Sequence, residues 1–238
     1  CEPTKKTEVL FASAKEAYEH GKHRSAVVHL KSLLQKQPND SAARYLLGLT
    51  FQSLGDHQAA EIELRKAIEL GFEPARFKVG KALLGMGQYQ KILDEIRVDP
   101  KSAPDLQAEA ATLRALAFFG VGRIPEGRRS LAEADAIRPD SLDVLLAQAG
   151  VAATENKLEE ASVLTERALA GSPKSTEVWL MKGDIAQARK DEKAAFLAYE
   201  KGIELSPDNI PARLAVVSML IGAHKYDEAR KRLDDVRP

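Results

Sequence analysis

Few residues of this chain could do chemistry: five histidines, one cysteine and a short run of glycines. The histidines are His20, His23, His29, His57 and His224. In His20-Gly21-Lys22-His23 two imidazoles stand close in sequence, as the start of a metal site would. A zinc site needs its ligands converging on one point, with Cys, His or carboxylate partners completing a tetrahedron. This pair straddles a glycine, lacks the helical spacing of a zinc pair and has no cysteine near it, so no metal site is expected. Gly80, Gly85 and Gly87 have the glycine density of a phosphate loop. They lack the Lys-Ser or Lys-Thr that completes one. No nucleophile elbow occurs either. No catalytic residue, no cofactor and no enzyme activity are expected of this chain.

The single cysteine is Cys1. It has two readings: the accident of where the numbering starts, or the lipid-bearing first residue of a mature bacterial lipoprotein. The polar stretch Glu2-Pro3-Thr4-Lys5-Lys6-Thr7 favours the second, because residues 1–6 then serve as a tether ahead of the first helix. Lipidation at Cys1 implies a periplasmic, outer-membrane-anchored protein; the first reading implies a cytoplasmic one. Membrane attachment is expected only through that anchor, since no apolar run approaches the ~20 residues of a spanning helix. Lys and Arg number 35 and Asp and Glu 35, so the net charge is zero. A nucleic-acid binder would need a basic surface, so nucleic acid is not an expected partner.

The elements that must position these residues show in a regular spacing. A small or turn-forming residue recurs at Gly21, Gly55, Gly87, Gly122, Asn156, Lys190 and His224, at intervals of 34, 32, 35, 34, 34 and 34. Five residues later runs a second series: Ala26, Ala60, Ile92, Gly127, Ala161, Ala195 and Ala229. A period of ~34 resembles the helix–turn–helix unit of tetratricopeptide repeats. The expected fold is all-α: a right-handed superhelical solenoid of about seven repeats over 7–238. The repeats fall near 7–40, 41–72, 73–107, 108–141, 142–175, 176–209 and 210–238. With the turn residue numbered 15, positions 8 and 20 are mostly small, so that helices A and B can approach closely. Glycine at position 15 enters the left-handed conformation that closes helix A. Asn156 is the best substitute, whereas Lys190 and His224 are poorer and suggest turns built differently. Asp40, Ser141 and Ser175 are expected helix caps. In the third repeat Pro100 and Pro104 shorten helix B and force a longer loop, with the next helix starting near Leu106.

Helix A lines the concave face of such a solenoid, with positions 2, 5, 9, 12 and 13 toward the groove. In the first four repeats these positions include Lys15 and Thr112 and the candidate groove residues Phe11, Tyr18, Tyr45, Leu49, Phe77, Lys81, Leu84, Leu116 and Phe119. That row is apolar and aromatic for a surface, and exposed apolar patches mark partner sites. A protein or peptide partner, held as an extended segment or a helix, is expected there.

Several stretches resemble a narrower family. They are Ala26-Val27-Val28-His29-Leu30-Lys31-Ser32-Leu33-Leu34-Gln35 leading into Pro38-Asn39-Asp40, then Lys81-Ala82-Leu83-Leu84, Gly87-Gln88-Tyr89-Gln90-Lys91-Ile92-Leu93-Asp94-Glu95 and Asp99-Pro100. With Cys1 in front, the chain resembles the N-terminal part of the tetratricopeptide lipoproteins of the PEP-CTERM/exosortase system (the PrsT type). The resemblance implies a non-catalytic scaffold of the bacterial cell envelope, linked to exopolysaccharide production or PEP-CTERM protein sorting. It also implies that the chain is a fragment, since members of that family are much longer. The alternative is a pilotin-like lipoprotein that assists secretin or pilus assembly.

Overall fold

A computed structural model describes the backbone of residues 2–234 and the side chains of residues 7–234. The described residues form fourteen α-helices and no strand. They fall into two compact units, the first ending at Ile137 and the second beginning at Arg138. The first unit holds four helical hairpins. These are α1 (Glu2–Glu19) with α2 (His23–Lys36), α3 (Ser41–Ser53) with α4 (His57–Glu69), α5 (Ala75–Gly85) with α6 (Tyr89–Glu95), and α7 (Pro104–Gly120) with α8 (Ile124–Ile137). The second unit holds three: α9 (Leu142–Thr154) with α10 (Leu158–Gly171), α11 (Thr176–Ala188) with α12 (Glu192–Leu205), and α13 (Ile210–Gly222) with α14 (Tyr226–Asp234). Inside each unit the second helix of a hairpin packs on the first helix of the next.

The seven turns share one construction. All seven turn residues have positive φ, and the three that are not glycine are Asn156 (59°), Lys190 (61°) and His224 (59°). The expectation that Lys190 and His224 mark different turns is therefore corrected. The reason lies in the backbone hydrogen bonds. Lys190 N–H donates to the Gln187 carbonyl at 2.9 Å, and Asp191 N–H to that of Ala186 at 2.9 Å. The glycine turn at Gly55 makes the same pair, to Gln52 at 3.0 Å and from Asp56 to Phe51 at 2.9 Å. These bonds satisfy the last carbonyls of the first helix and hold the residue between them left-handed whatever its side chain.

Position 20 is buried in all seven repeats, as close helix approach demands. At position 8 of the sixth repeat a Cβ on Gly183 would meet the Tyr199 ring at 2.5 Å, and one on Gly48 in the second would meet Leu64 at 2.5 Å. Asp40, Ser141 and Ser175 cap α3, α9 and α11, each accepting a backbone N–H three residues on. Asp56, Asp191 and Asn209 cap three further helices in the same way.

The third repeat is irregular. Helix α6 has only seven residues, and α7 begins at Pro104, two residues before the expected Leu106. Proline is well suited to that first helical position, where its missing N–H costs nothing. The carbonyls left open where α6 stops are met from the next hairpin: Arg114 Nη1 donates to Leu93 at 3.0 Å and to Ile96 at 2.8 Å. At the other end of the chain, α1 already starts at Glu2, so residues 2–6 are helix rather than the tether expected ahead of it. Pro3 falls in the first turn of that helix, where proline is tolerated. Cys1 lies outside the described residues.

Candidate functional site

The expected row lies on the first helices of the four hairpins in the first unit, α1, α3, α5 and α7. All nine of its side chains are half-buried, and none is fully exposed or fully covered. Phe11 and Tyr18 pack against the core shared by α1, α2 and α3, together with Phe51. The Tyr18 ring also meets His23 edge-on, with centroids 5.3 Å apart. His23 is thus turn packing, and His57 plays the same part against Gly85. Tyr45, Phe77 and Leu84 pack against the next core, built from α4 to α7. Tyr45 lies 4.7 Å from the Phe72 ring. Phe119 turns toward its own hairpin partner: a Cβ on Gly127 would sit 2.7 Å from its ring. Leu49, Lys81 and Leu116 are likewise half-buried on the same helices.

The structure brings part of this row to one place. Burial raises the Tyr45 phenol above its ordinary value; Glu109 and Tyr18 add to the rise, and Lys81 opposes it. Tyr45 on α3 thus feels groups carried by α1, α5 and α7. Three further residues join these helices, and the sequence reading missed them. Gln52 Nε2 donates to the Lys78 carbonyl at 2.6 Å, linking α3 to α5. The Lys78 ammonium pairs with the Glu109 carboxylate, linking α5 to α7, and both side chains are largely buried. Glu109 stands at position 2, one of the groove positions, but Lys78 stands at position 6, so the periodicity gave no signal that the two would pair.

A concavity opens elsewhere on the same unit. It has a volume of about 420 Å³ and is lined by Lys31, Leu34, Arg44, Phe51, Ile62 and Glu63 among others. Arg44 and Glu63 form a half-buried ion pair across it, and Lys31 stands 5.7 Å from the Phe51 ring. Among the described residues no three His, Cys, Asp or Glu side chains are grouped to hold a metal ion. No helix of those residues is long and apolar enough to cross a membrane.

Comparison with known proteins agrees with this architecture. Family descriptions of the tetratricopeptide repeat match residues 11–72 and residues 176–209. These segments are tetratricopeptide repeats. The chain is 28% identical over 148 residues to the peroxisomal targeting signal receptor of Komagataella phaffii. That alignment takes in 59% of this chain and 24% of the receptor, so the chain spans about a quarter of that relative's length. Among solved structures, pilF of Pseudomonas aeruginosa superposes with a TM-score of 0.51 at 16% identity, over 93% of this chain and 100% of that one. A tetratricopeptide repeat protein from Parabacteroides merdae gives 0.53 at 14% identity, over 98% and 92%. At these identities the likeness concerns the fold, and the fold is the all-helical one of tetratricopeptide proteins.

Proposed function

We propose that the chain is a non-catalytic protein-interaction scaffold. It takes an extended peptide or a partner helix along α1, α3, α5 and α7, and binds no nucleic acid. The observation that carries this reading is the half-buried row Tyr18, Tyr45 and Phe77 with Lys81 beside it. Half-covered aromatics are held rigid by their neighbours, so they offer apolar area to a ligand at little entropic cost. The relative named as a receptor for a peroxisomal targeting signal supports a peptide as the ligand.

The setting belongs to the same proposal. It is the bacterial cell envelope, in exopolysaccharide production or PEP-CTERM protein sorting, with Cys1 lipidated at the outer membrane. Its support is the set of sequence stretches quoted for that resemblance. A second reading, a pilotin-like factor in secretin or pilus assembly, is favoured by the pilF superposition, which takes in the whole of that chain.

A photo-crosslinking amino acid at Leu49 or Leu116 tests the binding reading in envelope extracts. The proposal expects one adduct from both positions and none from exposed Val163. Equal labelling from all three would reject the row as the site. Intact mass of the native protein tests the anchor: an unmodified Cys1 would remove it.

A further inference from the structure

The concavity on the first unit is built from three stripes at helical spacing. On α3, Arg44, Leu47 and Phe51 stand three and four residues apart and share one side, while Tyr45 and Leu49 of the aromatic row share another. Lys31 and Leu34 of α2 line the same space, as do Ile62 and Glu63 of α4. No residue of the aromatic row lines it. The floor is apolar: Leu34 and Leu47 belong to the core beneath, and the half-buried Phe51 packs on that core and on the next. The volume, about 420 Å³, falls within the ~300–1,000 Å³ of ligand clefts.

The rim is apolar too. Val28 of α2 and Ile62 of α4 both hold position 22, and they are 62% and 46% exposed. The same position in the second unit gives Val163 at 61% and Leu197 at 60%. Position 22 thus faces away from the cores in all four repeats. Charge separates the two units. One turn on, at position 25, α2 and α4 carry Lys31 and Arg65, whereas α10 and α12 carry Glu166 and Glu200. Around the concavity the other charges are already met. Arg44 and Lys66 both hold Glu63, Arg44 also donates to the Pro38 carbonyl, and Arg65 pairs with Glu61 and Glu95. Lys31 differs: its exposed ammonium stands 5.7 Å from the Phe51 ring and pairs with no carboxylate among the described residues.

We propose that this groove docks an acidic amphipathic helix of a partner protein. An apolar side chain enters between Val28 and Ile62, against Leu34, Leu47 and Phe51, and an Asp or Glu beside it pairs with Lys31. The apolar contact supplies most of the affinity, and the ion pair fixes register and selects against basic segments. A basic segment would meet Lys31, Arg44 and Lys66 with Glu63 already taken. The site shares no residue with the aromatic row and does not depend on that reading.

Fluorescence anisotropy with two synthetic helical peptides and the 238-residue protein tests the proposal. One peptide carries a leucine stripe flanked by glutamates; its twin has lysine in place of each glutamate. The acidic peptide is expected to bind about tenfold or more tightly than its twin. Lys31→Glu and Ile62→Glu change exposed side chains, and circular dichroism checks that both variants stay folded. Each should weaken the acidic peptide by about tenfold, and Lys31→Glu should also strengthen the basic twin, a reversal that lost packing would not produce. Lys81→Glu and Val163→Glu should bind both peptides as wild type does. Absence of binding at millimolar acidic peptide overturns the proposal, and so does equal affinity for the twins. Weakening by Lys81→Glu but not by Lys31→Glu would move the peptide to the aromatic row and overturn it as well. So would a wild-type dimer that Ile62→Glu abolishes, because a second copy would then fill the groove.

Discussion

Exchanging the residues at two turns isolates the conformational term that shapes all seven. Lys190 holds φ at 61° with an exposed side chain, and Gly55 holds 79° with open space within 4 Å of where its Cβ would stand. Neither substitution meets a steric clash, so only the backbone preference changes. A side chain in the left-handed region costs about 1–2 kcal/mol, which Lys190→Gly removes. The greater freedom of glycine in the unfolded chain returns about 0.5–1 kcal/mol of that gain. Lys190→Gly should therefore stabilise the second unit by about 0.5–1 kcal/mol, and Gly55→Lys should destabilise the first by a similar amount. In a chain of this size that is a shift of about 2–4 °C in midpoint for each kcal/mol. Hydrogen exchange resolves the change unit by unit, which matters because repeat arrays need not melt in one step. If Gly55→Lys is neutral and Lys190→Gly gains nothing, the left-handed turn is not the determinant argued here.

Other outcomes follow from single contacts. Gly183→Ala should lower the stability of the second unit by about 1–3 kcal/mol, because the added methyl must displace the fully buried Tyr199 ring; an unchanged melting curve would show that the hairpin spreads without cost. Arg114→Met keeps the length of the side chain but leaves the Leu93 and Ile96 carbonyls without their donor. It should cost about 2 kcal/mol and speed amide exchange in α6 before any other helix. Tyr199 donates to Asp184 at 2.6 Å, and burial together with that bond pushes its phenol well above the ordinary value. The folded state thus holds the phenolic proton more tightly than the unfolded one. Its contribution is complete below pH ~10 and is lost as pH rises through the higher folded value. Alkaline titration of the second unit should show this loss, and Tyr199→Phe should flatten it; identical alkaline limbs would contradict the assignment.

The periodic part of the structure was legible because each repeat solves the same packing problem. The turn series, the small residues at position 20, the caps at Asp40, Ser141 and Ser175, and the shortened α6 all follow from residue type at a fixed position. What escaped was the strength of the surrounding bonds. Propensity alone marks Lys190 and His224 as poor turn residues, yet two backbone hydrogen bonds impose the glycine geometry on both. Composition likewise made residues 2–6 a polar tether, although proline in a first turn is compatible with the helix they form. The links between neighbouring hairpins were also out of reach. Gln52 and Glu109 fall at groove positions 12 and 2, but Lys78 and Arg114 do not, and no periodic pattern marks which residues of neighbouring repeats will bond. The aromatic row could be placed on the right helices but not weighed, since most of its area goes into packing against the cores beneath. Phe119 shows the limit, because only the close approach of Gly127 turns it toward its own hairpin.

The most direct test of the scaffold reading is a titration of the crosslinked partner segment against the wild-type chain, Lys81→Glu and Val163→Glu. Lys81 and Val163 lie outside the buried cores, so both variants keep the fold. The account predicts that Lys81→Glu weakens binding by about tenfold or more, equivalent to about 1.4 kcal/mol, while Val163→Glu binds as wild type. Equal affinity for all three proteins would contradict it.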